Sequence, residues 1–135
     1  MHPYSQLTQL FYFCILRHDF VRTVNRPLDG MEIDLLTRML EYQAGEGEAL
    51  IRQEPVRIEA IDVTHSLDMQ FAGQTHLLPV PLESAEMTRA DIQKAFEDVY
   101  YSRFRVRLPE ITAQIVNVNT SVTGRRPEVD LAGLI

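Results

Sequence analysis

Two groups of residues carry functional groups that could do chemistry. His18, Asp19 and Arg22 place an imidazole, a carboxylate and a guanidinium close together, while Asp68, Gly73, Gln74 and His76 surround an apparent turn. An imidazole beside a carboxylate could move a proton if the acid oriented the ring. On a helix, however, adjacent residues point about 100° apart, so Asp19 is badly placed to hold its neighbour His18. An ion pair between Asp19 and Arg22, three positions on, is the plainer expectation. Gln74 and His76 either border a substrate pocket or sit on a solvated turn. His2 and His65 carry no pattern.

Other catalytic signatures are missing from the sequence. There is no GxSxG elbow for a serine nucleophile, and neither HxxxH nor HExxH occurs to hold a metal. The six glycines, Gly30, Gly45, Gly47, Gly73, Gly124 and Gly133, form neither GxGxxG nor GxxxxGK, so no phosphate loop is written here. Cys14 is the single cysteine, which excludes an internal disulfide and a multi-cysteine zinc site. Without a set of acid, base and nucleophile, the chain does not read as an autonomous enzyme.

Length and charge narrow the classes further. The 135 residues suffice for one domain with a real core, expected over residues 1–126 with a tail over 127–135. Thirteen basic against nineteen acidic residues give a net charge of −6, which argues against a nucleic-acid partner. Arg103, Arg105 and Arg107, and the pair Arg125-Arg126, are short clusters suited to a solvated or partner-facing surface. The apolar run from Leu10 to Leu16 is too short to span a bilayer and lacks the flanks of a signal peptide, so neither membrane nor export is implied and a cytoplasmic location is expected. Apolar all round, that run needs cover on every side, from this chain's own helices or from another subunit. Phe11 and Phe13 are therefore interface candidates. Leu131, Leu134 and Ile135 in the tail either fray or dock on a neighbouring subunit.

Periodicity supplies the elements that must position these groups. Residues 5 to 23 read as a helix, stopped before Pro27. Asp29 and Glu32 suggest a capping box for a second helix, whose Met31, Leu35, Leu36, Met39 and Leu40 line one face until Gly45-Glu46-Gly47 ends it. Pro55 introduces a strand in which Val56, Ile58 and Ala60 alternate with Arg57 and Glu59. Leu67, Met69 and Phe71 then alternate with polar residues, Ala72-Gly73 breaks the run, and Leu78, Val80 and Leu82 return. Pro79 and Pro81 put that return segment at a sheet edge. Thr88 and Asp91 start a third helix with Ile92, Phe96, Val99 and Tyr100 inward, barred from continuing by Pro109. A last strand covers about residues 111 to 121. The expected fold is α+β, a small antiparallel sheet with a central hairpin packed against two or three helices.

The hairpin segment DMQFAGQTHLLPVPL, residues 68–82, resembles the D-M-R-Y-x-G-Q-x-x-E-L-x-V-P-L signature near the C-terminus of the hydantoinase A, 5-oxoprolinase and acetone carboxylase group. Asp68, Met69, Gly73, Gln74, Leu78, Val80, Pro81 and Leu82 match. Leu16 to Thr23 is similar to the group's L-R-H-D-[YF]-V-R-T, and Phe96 and Ile115-Val116-Asn117 match its ending. The departures remove polar groups. Gln70, Phe71 and Leu77 stand where Arg, Tyr and Glu are usual, Tyr100 replaces His, Phe104-Arg105 replaces Tyr-Gly, and Gln114 and Asn119 occupy positions that are commonly Glu and Arg.

The resemblance implies a piece of a large ATP-dependent enzyme, with an actin-like ATPase domain elsewhere that binds ATP and magnesium in partner subunits. It makes His18, Asp19 and Arg22 a polar anchor against that partner, and gives this chain no cofactor of its own. A hetero-oligomer with large ATPase-bearing carboxylase or hydantoinase-like subunits follows. Chain length favours a separate small, non-catalytic subunit resembling one in the multi-subunit acetophenone carboxylase, which joins a ketone, bicarbonate and ATP to give a 3-oxo acid. The same domain in a hydantoinase or oxoprolinase hydrolysing a cyclic amide is the alternative, and a free-standing interaction module is the third.

Overall fold

The computed structural model describes residues 15–108 and 111–127. Strand β1 (Ile15–Pro27) runs through a 3₁₀ turn (Leu28–Gly30) into helix α1 (Ile33–Arg52). Strands β2 (Ala60–Phe71) and β3 (Leu78–Leu82) form the hairpin, helix α2 (Arg89–Phe104) follows, and strand β4 (Ala113–Arg125) returns through the middle. The strands make one antiparallel sheet in the order β1-β4-β2-β3. Both helices pack on one face of it, so the fold is α+β as expected, with two helices.

The first segment is where structure and periodicity part. Residues 15–27 form a strand, not a helix, because Leu16, His18 and Phe20 are half-buried while Arg17, Asp19 and Val21 face out, a period of two. Val21, Thr23 and Val24 are β-branched, and β4 offers a ladder along the whole length. Strand geometry also cancels the Asp19–Arg22 ion pair, since residues three apart on a strand point to opposite faces. The apolar residues Phe11, Phe13 and Cys14 lie outside the described residues, as do Pro109 and the tail candidates Leu131, Leu134 and Ile135.

Helix α1 begins at Ile33 behind Glu32, whose side chain makes no capping hydrogen bond, and Asp29 sits in the 3₁₀ turn. The expected capping box is therefore absent there. Arg89 from α2 instead donates to the carbonyl oxygens of Leu28 and Met31, the latter at 2.9 Å, fastening the turn to the second helix. Nor does α1 stop at Gly45-Glu46-Gly47. Its buried stripe continues from Leu36 and Leu40 through Gln43 and Gly47 to Ile51, at spacings of three and four. Gly47 is there for closeness: a Cβ would lie 2.7 Å from Val122 Cβ and 3.0 Å from Phe20 Cε2.

The hairpin follows its sequence signals. Leu67, Met69 and Phe71 on β2 and Leu78, Val80 and Leu82 on β3 are buried, and β3 is an edge strand whose Pro79 and Pro81 are exposed. Gly73 turns the chain at φ +86°, the left-handed conformation that favours glycine. The expected strand from Pro55 is corrected, for β2 starts at Ala60 and its covered residues are odd-numbered, from Ile61 to Phe71. Helix α2 starts at Thr88 as expected, and its start is a capping box, with Thr88 Oγ1 accepting from the Asp91 N–H at 3.1 Å and Asp91 accepting from the Thr88 N–H. Ile92 and Phe96 are fully buried, and the Phe96 ring lies 4.5 Å from that of Phe71, joining helix to hairpin.

Candidate functional site

The sheet has a second face that no described helix covers, and Asp19 and Asp68 of the sequence motifs lie on it. The register sets Arg17, Thr123 and Asp62 in one row across β1, β4 and β2, then Asp19, Ser121 and Thr64. Val21, Asn119 and Ser66 form the third row, and Thr23, Asn117 and Asp68 the fourth. Cross-strand hydrogen bonds tie the rows. Ser121 Oγ donates to Asp19 Oδ1 at 2.5 Å, and Arg17 Nε donates to the same carboxylate at 2.9 Å. Thr23 Oγ1 donates to Asn117 Oδ1 at 2.8 Å, and Asn117 Nδ2 passes a bond on to Asp68 Oδ2 at 3.0 Å. Asn119 Nδ2 donates to Ser66 Oγ at 3.3 Å, which leaves Asn119 Oδ1 shielded from solvent with no donor.

A one-residue irregularity makes this face possible. Between Met69 and Asp68 of β2, the partner on β4 jumps from Ile115 to Asn117, so Val116 is an extra residue. Before it, Ala113 and Ile115 point to the helices, and after it Val118, Thr120 and Val122 do. Asn117, Asn119 and Ser121 are thereby turned to the open side. A matching shift in β1 falls between Thr23 and Arg26, where Asn25 adopts φ +51° and accepts from Gln114 Nε2 at 2.7 Å.

Charge on the open face is mostly self-compensated. Hydrogen bonds from Ser121 and then from Arg17 hold the Asp19 carboxyl below the usual carboxylate range. Asp62 pairs with Arg125 at 3.1 Å. Asp68 has no such cation among the described residues. These carboxylates, amides and hydroxyls form a hydrogen-bonding surface rather than an acid-base pair. Among the described residues no group of three metal-ligating side chains occurs, and no helix is long and apolar enough to cross a membrane.

The covered side holds a polar chain that sequence reasoning missed. The Val118 carbonyl can only accept, so Gln43 Nε2 donates to it at 3.1 Å and turns Oε1 toward Thr120. Thr120 Oγ1 spends its proton on Gln43 Oε1 at 2.6 Å, so it must accept at 2.8 Å from His65 Nδ1, which fixes the Nδ1–H tautomer. Burial pushes the His65 imidazole below its ordinary pKa. The available signal was Gln43 falling in phase with Leu36, Leu40 and Gly47 on α1.

The expected site residues are not brought together. Asp19 faces the open side, whereas His18 and Arg22 lie on the helix side, opposite Val122 and Val118, so the three do not share one face of the sheet. Asp68 likewise faces away from the turn: Gln74 Nε2 donates to Tyr100 Oη at 3.2 Å under α2, and His76 is exposed with no hydrogen bond or ion pair among the described residues. Tyr100 packs edge-on to Phe71, at 4.8 Å, while Tyr101 lies outside beneath the Arg107 guanidinium at 4.4 Å.

No protein-family profile matches the chain, and no curated protein sequence matches it. Solved structures do. An ATP-dependent caprolactamase from Pseudomonas jessenii superimposes with a TM-score of 0.71 at 22% identity, covering 84% of this chain and 18% of that one. A nucleotide-free acetone carboxylase, described for ATP-dependent acetone carboxylation, superimposes with a TM-score of 0.60 at 19% identity, again over 84% and 18%. The chain thus spans under a fifth of the length of these neighbours, and what it shares with them is the fold.

Proposed function

We propose that this chain is a non-catalytic, partner-binding piece of an ATP-dependent enzyme of the hydantoinase, oxoprolinase and ketone carboxylase type. The observation that carries the reading is the superposition of most of this chain on a small part of much larger ATP-dependent enzymes. The matching motifs support it, because their strand segments lie side by side and supply half of the polar face that no described helix covers. ATP and magnesium would bind a partner, and this chain would complete the fold of that assembly.

Two reactions fit this role. Carboxylation of a ketone with bicarbonate and ATP, as in an acetophenone carboxylase-like complex, is one, and the superposition on the acetone carboxylase supports it. Hydrolysis of a cyclic amide is favoured by the better superposition on the caprolactamase. Affinity purification of the tagged chain from its native cells, followed by ATPase assays, tests both. ATP turnover stimulated by acetophenone-like ketones with bicarbonate supports the first, and stimulation by hydantoins or lactams supports the second. A monodisperse monomer that recovers no ATP-hydrolysing chain would reject the proposal in favour of a free-standing interaction module.

A further inference from the structure

Most of the open sheet face satisfies itself, and one part of it does not. Asp19 has Arg17 at 2.9 Å and Asp62 has Arg125 at 3.1 Å, yet among the described residues Asp68 receives only the neutral amide of Asn117. In the adjacent row the Asn119 oxygen is out of contact with solvent and lacks a donor among the described residues. Beside it Val21 is 66% exposed, an apolar side chain in the middle of polar rows. A carboxylate without a cation, an acceptor without a donor and an uncovered valine sit together on three adjacent strands. Water satisfies the carboxylate alone, but a protein surface supplies both a cation for Asp68 and apolar cover for Val21 at once.

We propose that the open face around Val21, Asp68 and Asn119 docks a larger protein chain that lays an arginine or lysine on Asp68 and an apolar contact on Val21. Charge complementarity selects the occupant. The face is locally divided between ion pairs that need nothing and one carboxylate that needs a cation, so a basic spot on the partner fixes the register while Arg17 and Arg125 stay neutralised at the margin. A second copy of this chain is a poor fit, because the cations of the same face, Arg17 and Arg125, are already paired and both molecules carry a net charge of −6. The docking rests on the function proposed above, and it names the surface through which that larger chain is held.

The test uses the complex purified through the tagged chain from native cells, with Asp68→Arg and Val21→Glu on the open face and Tyr42→Glu on α1 as the control. Tyr42 is 68% exposed on the helix side, and Val21→Glu touches no core residue, so its thermal melt should match that of the unaltered chain. The open-face variants should retain below about one-tenth of the ATP-hydrolysing partner at physiological salt, with Tyr42→Glu unaffected. A photo-cross-linker at position 21 should reach a partner peptide containing Arg or Lys, and reversing that cation should restore binding to Asp68→Arg. Full retention by Asp68→Arg and Val21→Glu, cross-links to a second copy, or cross-links formed only from position 42 would each overturn the docking while leaving the enzyme reading intact. An unaltered chain that brings down no ATP-hydrolysing partner would overturn both.

Discussion

Replacing Gly47 by alanine sets helix propensity against packing. In an exposed helix interior the change from glycine to alanine stabilises by about 1 kcal/mol. At Gly47 the new Cβ would overlap Val122 Cγ2, lie 2.7 Å from Val122 Cβ and approach Phe20 Cε2 to 3.0 Å. Val122 is fully buried on the second strand of the sheet, with β1 on one side and β2 on the other, so it cannot simply swing away. Overpacking of this kind costs about 1–3 kcal/mol, which leaves a net loss of up to about 2 kcal/mol after the helix gain. Gly45 lies two residues earlier in the same helix with nothing within 4 Å of its Cβ. Gly45→Ala should therefore stabilise by about 1 kcal/mol. Urea denaturation of the two variants beside the parent chain reads the difference. In a Val122→Ala background Gly47→Ala should cost less, because the obstructing methyls are gone. Equal stabilisation at both glycines would refute the seating of α1 on β4.

Gln43→Leu keeps the volume but strips the Val118 carbonyl and Thr120 of a partner, for an expected loss of about 1–3 kcal/mol. Thr120, its proton freed, should then donate to His65 Nδ1 and drive the ring to the Nε2–H tautomer, and unchanged imidazole nitrogen shifts in NMR would break that chain of reasoning. The pKa of His65 is lowered in the folded state, so the unfolded chain binds more protons below about pH 6.5. Stability should accordingly fall as pH drops from about 6.5 through the lower folded pKa, and His65→Gln should flatten that slope in denaturation curves taken between about pH 5 and 7. Gly73→Val should cost about 1–3 kcal/mol from backbone strain alone, since its Cβ meets open space. Gly73→Asn, which tolerates positive φ, should lose clearly less in the same melt.

Local chemistry wrote the second half of the fold legibly. Leu67, Met69 and Phe71 declare a strand, Gly73 a turn, Pro79 and Pro81 an edge, and Thr88 with Asp91 a helix start, because each signal acts within a few residues. The first half depended on partners far away in sequence. Residues 5 to 23 read as a helix, and only the ladder with β4, about a hundred residues later, makes the stretch from Ile15 a strand. Gly45 and Gly47 look like a helix end locally, and only the approach of Val122 explains a glycine inside α1. For the same reason the candidate site was half visible. Asp19 and Asp68 carry the right side chains, but which face each one takes depends on the irregularity at Val116, which nothing in the spacing of Ile115, Val116 and Asn117 marks as a bulge rather than a regular strand.

Two departures from the resembled pattern lie on β4. Gln114 bridges to Asn25, and Asn119, at a position that is commonly Arg, hydrogen-bonds Ser66 on the open face. Asn119 is two residues along β4 from Asn117, the direct partner of Asp68, so its side chain is a diagonal neighbour of that carboxylate, about 7 Å away by sheet geometry and within reach of a long side chain. A neutral amide there leaves Asp68 without an internal cation. Asn119→Arg should supply one, and a double-mutant cycle with Asp68→Asn should return a coupling of about 0.2–1 kcal/mol that fades at 1 M salt. The same variant should release the larger chain, since an Asp68 already paired within the sheet has nothing left for an incoming cation. Zero coupling in the cycle would mean that the two side chains do not meet, and the uncompensated charge on this face would then need another cause.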